Sequence, residues 1–359
     1  MRILVSAVGQ TDNVGDTVLR RGFLDHLRTI APLRVFVGGK PDSYISGLGL
    51  HSDDVAVRDN GEWRSVVSRD LMKGGVYAFD TGEREVDRAF AKRYLKLAPL
   101  LVVNKVRGGT AVHLGVGVRE STAWRKPIGA IVRLCDLVSW RDADSRAIMG
   151  FGSVSPDWAF ALGSSAEVLR DADAPRPRMA IAVRQSLDHA ARDRLDDEWV
   201  RKVRTLADRL ALEPIVVAQI ERDGPVTLDL AQRLGCEALT WLDDDHARQE
   251  ERLRGIYRES ALVLTDRLHG AVIAATEGAI PIALSTGRMD KVTRTLTSVG
   301  IDRTSVGRSI PDEAALNDVV RDALARRAEI IESVVEARSR LEAVTGELRQ
   351  RLEAKGALV

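Results

Sequence analysis

Short apolar runs alternate with amphipathic stretches along the first half of the chain. Continuous runs of valine, leucine, isoleucine and alanine are typical of strands buried on both faces of a parallel sheet. The runs predict strands at Arg2–Val8, Leu33–Val37, Gly74–Phe79, Leu100–Val103, Thr110–Val116 and Leu137–Trp140. The intervening stretches predict helices at Asp16–Thr29, Glu83–Leu97 and Ala143–Met149. This alternation indicates an α/β unit with helices on both faces of a parallel sheet.

The same alternation restarts after Gly163–Arg178, a stretch of serine, alanine and proline that is typical of a linker. The second half predicts strands at Arg178–Val183, Glu213–Ala218, Ala238–Trp241, Ala261–Thr265 and Ile280–Leu284. Helices are predicted at Asp193–Ala211, Leu228–Leu234, Ala247–Glu259, Ala271–Thr276 and Asp290–Val299. We therefore expect two similar α/β domains in series, residues 1–165 and 176–310, with a cleft between them.

Residues 311–359 read as one long helix or two helices, starting at Pro311 with Asp312-Glu313. Apolar side chains recur at spacings of three, four and seven, at Ile331, Val334, Leu341, Val344, Leu348 and Leu352. The favoured interpretation is that this stripe packs on the chain's own domains, and the alternative is the seam of a homodimer.

Composition narrows the classes of function. The net charge of +1 over 359 residues gives no global reason to expect nucleic acid or an anionic membrane as a partner. Cys135 and Cys236 are too few and too far apart for a disulfide framework, and the six histidines lack metal-ligand spacing. The apolar run Ile3–Val8 is too short for a signal peptide or a membrane span. We expect a cytoplasmic protein that needs no metal or other cofactor.

The most informative segment is Thr265–Gly270, which follows the predicted strand Ala261–Thr265 and opens the next helix. This places Arg267 and His269 at the carboxyl end of a buried parallel strand, where open α/β sheets bind ligands. The amino terminus of a helix favours an anion there, and a histidine beside it can exchange protons near neutral pH. Lys291 follows the next strand at the same edge of the sheet and adds positive charge.

Three other strand ends carry candidate groups. After the first strand, Gly9–Asp16 supplies a tight turn in which Asp16 either caps the next helix or binds sugar hydroxyls. In His113–Arg119, two glycines allow either an ordinary loop or close approach of a ligand to the backbone. At Arg141-Asp142 the pattern favours a surface ion pair of Arg141 with Asp142 or Asp144, and the alternative is an arginine that holds a carboxylate or phosphate.

Taken together, these segments resemble the polysaccharide pyruvyl transferase family from the start of the chain to Gly300. The matching pieces are Asn13–Asp16, Gly74-Gly75, Phe79-Asp80, the Gly115 and Gly117 turn, Arg141-Asp142 with Ser145, Pro156-Asp157 with Phe160, Arg267–Gly270, Gly278 with Pro281, and Lys291-Val292 with Leu296 and Gly300. The chain departs from the family at His113–Arg119, where many members have Gly-Pro after the glycines.

The resemblance implies two facing Rossmann-like domains, as in the glycosyltransferase-B fold, with an acceptor-side domain first and a donor-binding domain second. Members move the carbon skeleton of phosphoenolpyruvate onto a sugar diol of a cell-surface or exported polysaccharide, leaving a pyruvate ketal and phosphate. On this chain it implies catalytic roles for His269, Arg267 and Arg141. Substrate-binding roles follow for Asn13, Asp16, Gly115, Gly117, Arg119, Gly270 and Lys291.

Two other functions stay open at this stage. A nucleotide-sugar glycosyltransferase of the same architecture is one, because Glu277–Pro281 resembles the acidic Gly-Pro segment that such enzymes place near the nucleotide. A non-catalytic glycan-binding protein is the other. The expected partners are phosphoenolpyruvate and a saccharide, either polymeric or lipid-linked, and the latter would bring the chain to the inner face of the membrane. The sequence leaves homo-oligomerisation open.

Overall fold

A computed structural model describes residues 1–119, 122–171, 174–184, 195–242, 245–285, 287, 290–310 and 312–357. The chain forms two compact units. The first comprises residues 1–11, 19–158 and 338–359, and the second comprises residues 12–18 and 159–337. This grouping differs from the predicted domain bounds, because residues 12–18 belong with the second unit and the end of the tail belongs with the first.

The first unit is built on an eight-stranded sheet in which every strand pair is parallel. The strands are β1 (Ile3–Ser6), β2 (Leu33–Phe36), β3 (Val55–Val57), β4 (Val76–Ala78), β5 (Gly82–Arg84), β6 (Thr110–Val118), β7 (Leu137–Trp140) and β8 (Ser153–Val154). Their order is β3-β2-β1-β4-β6-β7-β8, and β5 pairs with β6 beyond the end of β4.

Helices cover this sheet: α1 (Val14–Arg28), α2 (Asp42–Ser46), α3 (Asn60–Leu71), α4 (Arg88–Val106), α5 (Arg125–Val132) and α6 (Ala143–Met149). The predicted strand at Leu100–Val103 is wrong, because these residues lie in α4. A short apolar run has the same composition in a buried strand and a half-buried helix, so periodicity alone did not separate them.

The second unit has a six-stranded parallel sheet of order β11-β10-β9-β12-β13-β14. Its strands are β9 (Arg178–Ala182), β10 (Glu213–Val217), β11 (Glu237–Leu239), β12 (Ser260–Thr265), β13 (Ile280–Ser285) and β14 (Ser305–Gly307). Its helices are α7 (Ala166–Arg170), α8 (Asp197–Leu210), α9 (Gly224–Leu234), α10 (His246–Arg258), α11 (Leu268–Thr276), α12 (Lys291–Thr297) and α13 (Glu313–Ala325). In both sheets the strand order reverses beside the first strand, which confirms the predicted doubly wound α/β class.

The tail forms two helices, α13 and α14 (Arg327–Ala354), and Pro311 lies outside the described residues. The stripe along α14 is covered within the chain, since Val334, Leu341, Leu348 and Leu352 are fully buried. The structure therefore agrees with packing on the chain's own domains and not with a dimer seam made by these side chains. No described helix combines the length and apolarity of a membrane span.

Candidate functional site

Helix α11 begins at the carboxyl edge of the second sheet, directly after the central strand β12. The connection is short because the Thr265 hydroxyl both accepts from the backbone N–H of Arg267 (2.9 Å) and donates to the carbonyl of Ala182 on β9 (2.6 Å). All nine residues of α11 are buried. Strand order reverses between β9 and β12, so this helix amino terminus lies where doubly wound sheets hold their ligands.

Arg267 stands immediately before α11, in extended backbone conformation. Its guanidinium pairs with Asp223 at 2.5 Å, and 19% of the arginine side chain is exposed against 2% for the aspartate. The pair fixes one end of the guanidinium while the side chain still reaches solvent. An arginine held in this way is suited to a carboxylate or phosphate arriving at the helix amino terminus.

Asp266 ties the ends of neighbouring strands together. Its carboxylate accepts from the backbone N–H of Arg184 after β9 (2.9 Å) and from Nε of Arg308 after β14 (2.7 Å). Arg308 also donates to the carbonyl of Arg184. Asp266 and Arg308 are both buried, so this pair shapes the turn that carries Arg267.

His269 lies in the first turn of α11 and is 9% exposed. A Cβ placed on Gly15 would be 2.5 Å from Cβ and Nδ1 of His269 and 2.6 Å from Nε2 of Gln219. The absence of a side chain at Gly15 is therefore what lets the first turn of α1 approach the histidine ring. Both belong to the second unit, together with Gln219.

The loop before α1 is attached to the loop after β10 by several bonds. Asn13 and Ile220 form an isolated antiparallel bridge, and the backbone N–H of Glu221 donates to the carbonyl of Asp12 (2.8 Å). Arg222 forms a bidentate pair with the Asp12 carboxylate at 2.6 and 2.8 Å. This attachment explains why residues 12–18 group with the second unit.

Asn13 is the side chain at the centre of that attachment. Its Oδ1 accepts from the backbone N–H of Gly15 (3.0 Å) and from Nε2 of Gln219 (3.1 Å). Asn13 thus caps α1, and the prediction that Asp16 caps it is wrong, because Asp16 lies inside the first turn of the helix. One residue further on, the Thr17 hydroxyl contacts Nδ1 of the buried His246 at 3.2 Å.

Gly270 and Lys291 lie at the same edge of the second sheet. A Cβ on Gly270 would be 3.0 Å from Oε1 of Gln219, so the glycine leaves room for the Gln219 amide beside α11. Lys291 is the first residue of α12, whose cap is the side chain of Asp290. The predicted residues Asn13, Asp16, Arg267, His269, Gly270 and Lys291 all belong to this unit.

Four other predicted residues belong to the first unit, around the ends of β6 and β7. Arg141 has a side chain only 1% exposed, so the predicted surface pair is wrong. Its Nη2 donates to Glu83 at 3.2 Å, and its other nitrogens face Asp142 at 3.7 Å and Asp157 at 3.8 Å. The guanidinium is thus held among three carboxylates, of which one makes a hydrogen bond.

The two glycines of β6 face the protein's own side chains. A Cβ on Gly117 would lie 2.5 Å from Nη2 of Arg141, and one on Gly115, whose φ is +70°, would lie 2.7 Å from Nε1 of Trp158. The packing of the protein's own side chains therefore explains both glycines, on the side of β6 where we predict that a ligand approaches the backbone. Arg119 is half exposed and pairs with Glu83 at 2.8 Å and Glu85 at 3.2 Å.

His113, in the same strand, is a core residue. Its Nε2 contacts the hydroxyl of Tyr94 at 3.0 Å, and the rings of Phe79 and Trp140 pack beside it. Burial lowers the pKa of His113 to about 3, so the imidazole is neutral at physiological pH. It is therefore not a candidate acid.

The sequence predicts no role for Gln219, Asp223, Asp266 or Glu83, although each holds a candidate residue or the loop beside it. Their partners lie between 42 and 206 positions away in the sequence. No local pattern carries such a signal. Among the described residues no group of three or more histidine, cysteine or acidic side chains is arranged to hold a metal ion.

The fold is similar to that of solved sugar-nucleotide enzymes. UDP-GlcNAc 2-epimerase from Neisseria meningitidis, bound to UDP-GlcNAc, gives a TM-score of 0.56 at 8% identity, covering 99% of this chain and 100% of that one. The S. aureus MnaA–UDP structure gives 0.53 at 12% identity, covering 100% and 98%. The glycosyltransferase of kitacinnamycin gives 0.50 at 11% identity, covering 99% and 98%. At these identities the likeness establishes the glycosyltransferase-B-like fold alone.

The sequence has no significant match among curated proteins. The family model of polysaccharide pyruvyl transferases matches residues 82–287, which is more than half of the 359 residues. The matched range contains the Arg141 cluster of the first unit and the Arg267 and His269 turn of the second. The chain therefore belongs to the polysaccharide pyruvyl transferase family.

Proposed function

We propose that this chain transfers the pyruvyl group of phosphoenolpyruvate to two hydroxyls of a saccharide, forming a pyruvate ketal and releasing phosphate. The observation that carries the proposal is the arrangement at α11. There Arg267, paired with Asp223 but still 19% exposed, and His269 share the amino terminus of a fully buried helix. Family membership gives the class of transfer. The donor and the product are the part that the proposal adds.

The donor suits the groups at α11. Phosphoenolpyruvate is a small molecule with a carboxylate and a phosphate, and both are ligands for arginine and for helix N–H groups. Arg267 would hold one anionic group while the first turn of α11 receives the other. Lys291, which begins α12 at the same edge, would add to the positive potential.

The chemistry removes two protons from the sugar hydroxyls and delivers two, one to the methylene carbon and one to the departing phosphate. Protonation of the methylene carbon turns it into a methyl group and makes the adjacent carbon electrophilic. Two sugar hydroxyls then form two C–O bonds to that carbon, and the bond to the phosphate oxygen breaks. His269 is assigned as the acid, acting at the methylene carbon or at the departing phosphate, while Arg267 stabilises charge on the donor.

The family resemblance gives the other predicted residues one of two roles, which are binding the acceptor saccharide and stabilising charge on the donor. Arg141 would stabilise developing negative charge, although at rest it is surrounded by Glu83, Asp142 and Asp157. Asp16 and Asn13 would contact the hydroxyls of the saccharide. The reaction needs phosphoenolpyruvate, a cytoplasmic metabolite, and we therefore place the protein in the cytoplasm.

Transfer from a nucleotide sugar is the competing function, because two of the similar structures are described with UDP or UDP-GlcNAc. The acidic residue that this interpretation needs, Glu277, lies at the far end of α11 from His269. Its carboxylate is 1% exposed and is held by Arg254 at 2.6 Å and Arg258 at 2.9 Å. The Glu277 carboxylate is therefore already bound by two arginines of the protein, which leaves little room for a nucleotide.

The test is phosphate release by the full chain with phosphoenolpyruvate and a panel of polymeric and lipid-linked saccharides. We expect release that depends on the acceptor and falls about 100-fold or more in His269→Asn. The matched control is His51→Asn, because His51 is exposed in the first unit. Calorimetric titration of phosphoenolpyruvate into wild type and Arg267→Gln supplies a readout without an acceptor.

Absence of phosphoenolpyruvate binding, together with binding of a nucleotide diphosphate, would replace the proposal with the glycosyltransferase alternative. Saccharide binding without any turnover of either donor would point to the non-catalytic alternative.

A further inference from the structure

Helix α4 of the first unit is apolar on two sides. Phe90, Tyr94 and Leu101 face the core and are buried. Leu95, Pro99, Val102 and Val106 are separated by four, three and four residues, a spacing that places them together on another face. On that face Leu95 is 47%, Val102 47% and Val106 82% exposed.

Further exposed apolar side chains lie beside this face. Val103, one residue round the helix, is 39% exposed. The turn after α3 carries Met72, which is 56% exposed. That turn adjoins the end of α4, since a Cβ on Gly74 would lie 2.6 Å from the carbonyl oxygen of Arg107. We call Met72, Leu95, Pro99, Val102, Val103 and Val106 the α4 surface.

The α4 surface is surrounded by positive charge. Helix α4 carries no acidic residue and five basic ones, Arg88, Lys92, Arg93, Lys96 and Lys105. Helix α5, which packs on α4, adds Arg125 and Lys126, both exposed. From residue 88 to residue 135 the sequence has ten Lys or Arg and one acidic residue, whereas the whole chain has 53 against 52.

The nearby carboxylates offset this charge only at the amino-terminal end of α4, where Arg93 lines a pocket with Glu83, Glu85 and Asp87. Asp87 precedes α4 and accepts from the backbone N–H of Phe90, so it caps the helix. Asp70 on α3 is paired with Arg34 at 3.5 Å and Arg69 at 3.3 Å. Beyond that end, the excess of positive charge around α4 is therefore local and uncompensated by these groups.

Charge complementarity decides which partner fits. A second copy of the chain would bring one all-basic helix against another, which like-charge repulsion opposes. A nucleic acid would meet the basic residues but leave the apolar stripe uncovered. An anionic bilayer offers both a negative surface for lysine and arginine and an acyl boundary for leucine and valine.

We propose that the α4 surface docks the chain on an anionic lipid bilayer, with α4 lying in the plane of the interface. The helix does not meet the requirements of a span, so it lies on the membrane and does not cross it. Docking would bring the enzyme to a saccharide carried on a membrane lipid. It does not depend on pyruvyl transfer, because membrane binding is measured without either substrate.

The test is sedimentation of the full chain with vesicles of phosphatidylcholine alone and of phosphatidylcholine with phosphatidylglycerol. We expect wild type to partition onto the anionic vesicles only. Lys92→Gln with Lys96→Gln should weaken partitioning about 30-fold, from about a fivefold loss for each charge near the surface. Leu95→Gln with Val102→Gln and Val106→Gln should weaken it roughly tenfold or more.

The matched control is Leu228→Gln with Leu242→Gln, because these side chains are 57% and 76% exposed in the second unit. It should partition as wild type does. Circular dichroism of each variant shows whether it is folded. We expect every variant to fold, because the substituted side chains are exposed. Wild type that stays off anionic vesicles would overturn the proposal. The proposal would also be overturned if the variant with Leu95→Gln, Val102→Gln and Val106→Gln still bound the vesicles as wild type does. It would be overturned as well if wild type did not bind vesicles and formed a dimer that these three substitutions convert into a monomer.

Discussion

At the scale of single residues, Gly15 packs against His269, the proposed acid. It lets the amino terminus of α1 touch His269 and Gln219, and no larger residue fits without moving them. Sequence reasoning selected the Asn13–Asp16 segment for its turn chemistry and for the family resemblance. It did not find the contact with His269, because the two residues are 254 positions apart (269 − 15).

Gly15→Ala should lower activity and also stability, because a Cβ at 2.5 Å from Cβ of His269 forces the histidine or the first turn of α1 to shift. The new methyl group would displace the His269 ring, and misplacing a catalytic group by about 1 Å costs about 100-fold in rate. Gly255→Ala is the matched control, because a Cβ at Gly255 in α10 meets nothing within 4 Å. Both variants would be compared by phosphate release and thermal unfolding. Full activity of Gly15→Ala would show that the position of His269 against this glycine does not matter.

Glu83 should matter more than its neighbour Glu85. Glu83 is nearly buried and touches both Arg141 and Arg119, whereas Glu85 is 64% exposed and touches Arg119 only. Glu83→Gln removes a charge-assisted hydrogen bond from buried Arg141 and should lower the free energy of unfolding by about 1.5–3 kcal/mol. Glu85→Gln should change it by about 0.5 kcal/mol or less. Urea unfolding of the pair measures the difference, and equal effects would argue against the Arg141 cluster as described.

His113 should make the fold sensitive to mild acid. Its pKa is lowered from 6.5 to about 3 by burial, so below pH 6.5 the unfolded chain binds a proton that the folded chain refuses. The contribution of neutral His113 to the free energy of unfolding is thus fully present above pH 6.5 and is lost as the pH falls toward 3. Between pH 7 and pH 5 this group should remove roughly 2 kcal/mol of stability.

His113→Gln should flatten that pH dependence, because glutamine does not titrate and still offers a polar group to Tyr94. Urea-unfolding midpoints at pH 7 and pH 5 would be compared between wild type and variant. An identical slope in both proteins would mean that His113 is charged or accessible in the folded state.

At the scale of elements, the sequence predicted central strands better than edges. The runs at β1, β2, β9, β10, β12 and β13 are buried and apolar, and each was found within two residues of its bounds. Strands β3 and β14 are three-residue edge strands, and β5 reads Gly-Glu-Arg. Even the apolar run of β3, Val-Ala-Val, is too short to identify a strand. Their pairing depends on the fold around them, which local pattern does not encode.

Helix α11 shows how one element serves two purposes. Its amino terminus carries His269, and its other end is anchored where Glu277 accepts from Arg254, Arg258 and Ser164. Burial of an ion pair of this kind is costly unless every partner stays in place. The anchoring therefore fixes the end of α11 that lies opposite His269, the proposed acid.

Glu277→Gln should destabilise the second unit. The change removes one of the two carboxylates of Arg254, which is 7% exposed, and leaves it with Glu250 alone. Loss of a buried charge-assisted hydrogen bond of this kind costs about 1.5–3 kcal/mol. Glu347→Gln is the control, because its pair with Arg351 is about half exposed and should be worth about 0.5 kcal/mol or less. Thermal unfolding of both variants measures the contrast. Similar midpoints would show that the Glu277 cluster is not a structural anchor.

At the scale of the whole molecule, the sequence predicted two doubly wound α/β domains and a helical tail, and the fold class is confirmed. The compact units nevertheless exchange segments. Residues 12–18 belong with the second unit through Asn13 and Asp12, and residues 338–359 belong with the first. Boundaries drawn from linkers miss such exchanges, because a linker marks where the chain is irregular and not where its contacts lie.

The candidate site, like the domain boundaries, was predictable only in part. Strand ends marked the positions of Arg267, His269 and Arg141, since parallel strands deliver loops to one edge. Their partners Asp223, Gln219 and Glu83 come from other loops of the fold, so only the structure brings them into view. The family match supplies the class of transfer, while donor, product and residue roles rest on the proposal.

The most direct test of the central claim is to follow the carbon atoms of the donor. Phosphoenolpyruvate labelled with ¹³C at its second carbon would be incubated with the full chain and the acceptor that supports phosphate release, and the purified saccharide examined by NMR. We predict a labelled ketal carbon bonded to two sugar oxygens and a new methyl group, both absent with His269→Asn. Phosphate release with the label recovered as free pyruvate, or in an enol ether that retains its methylene group, would contradict the account.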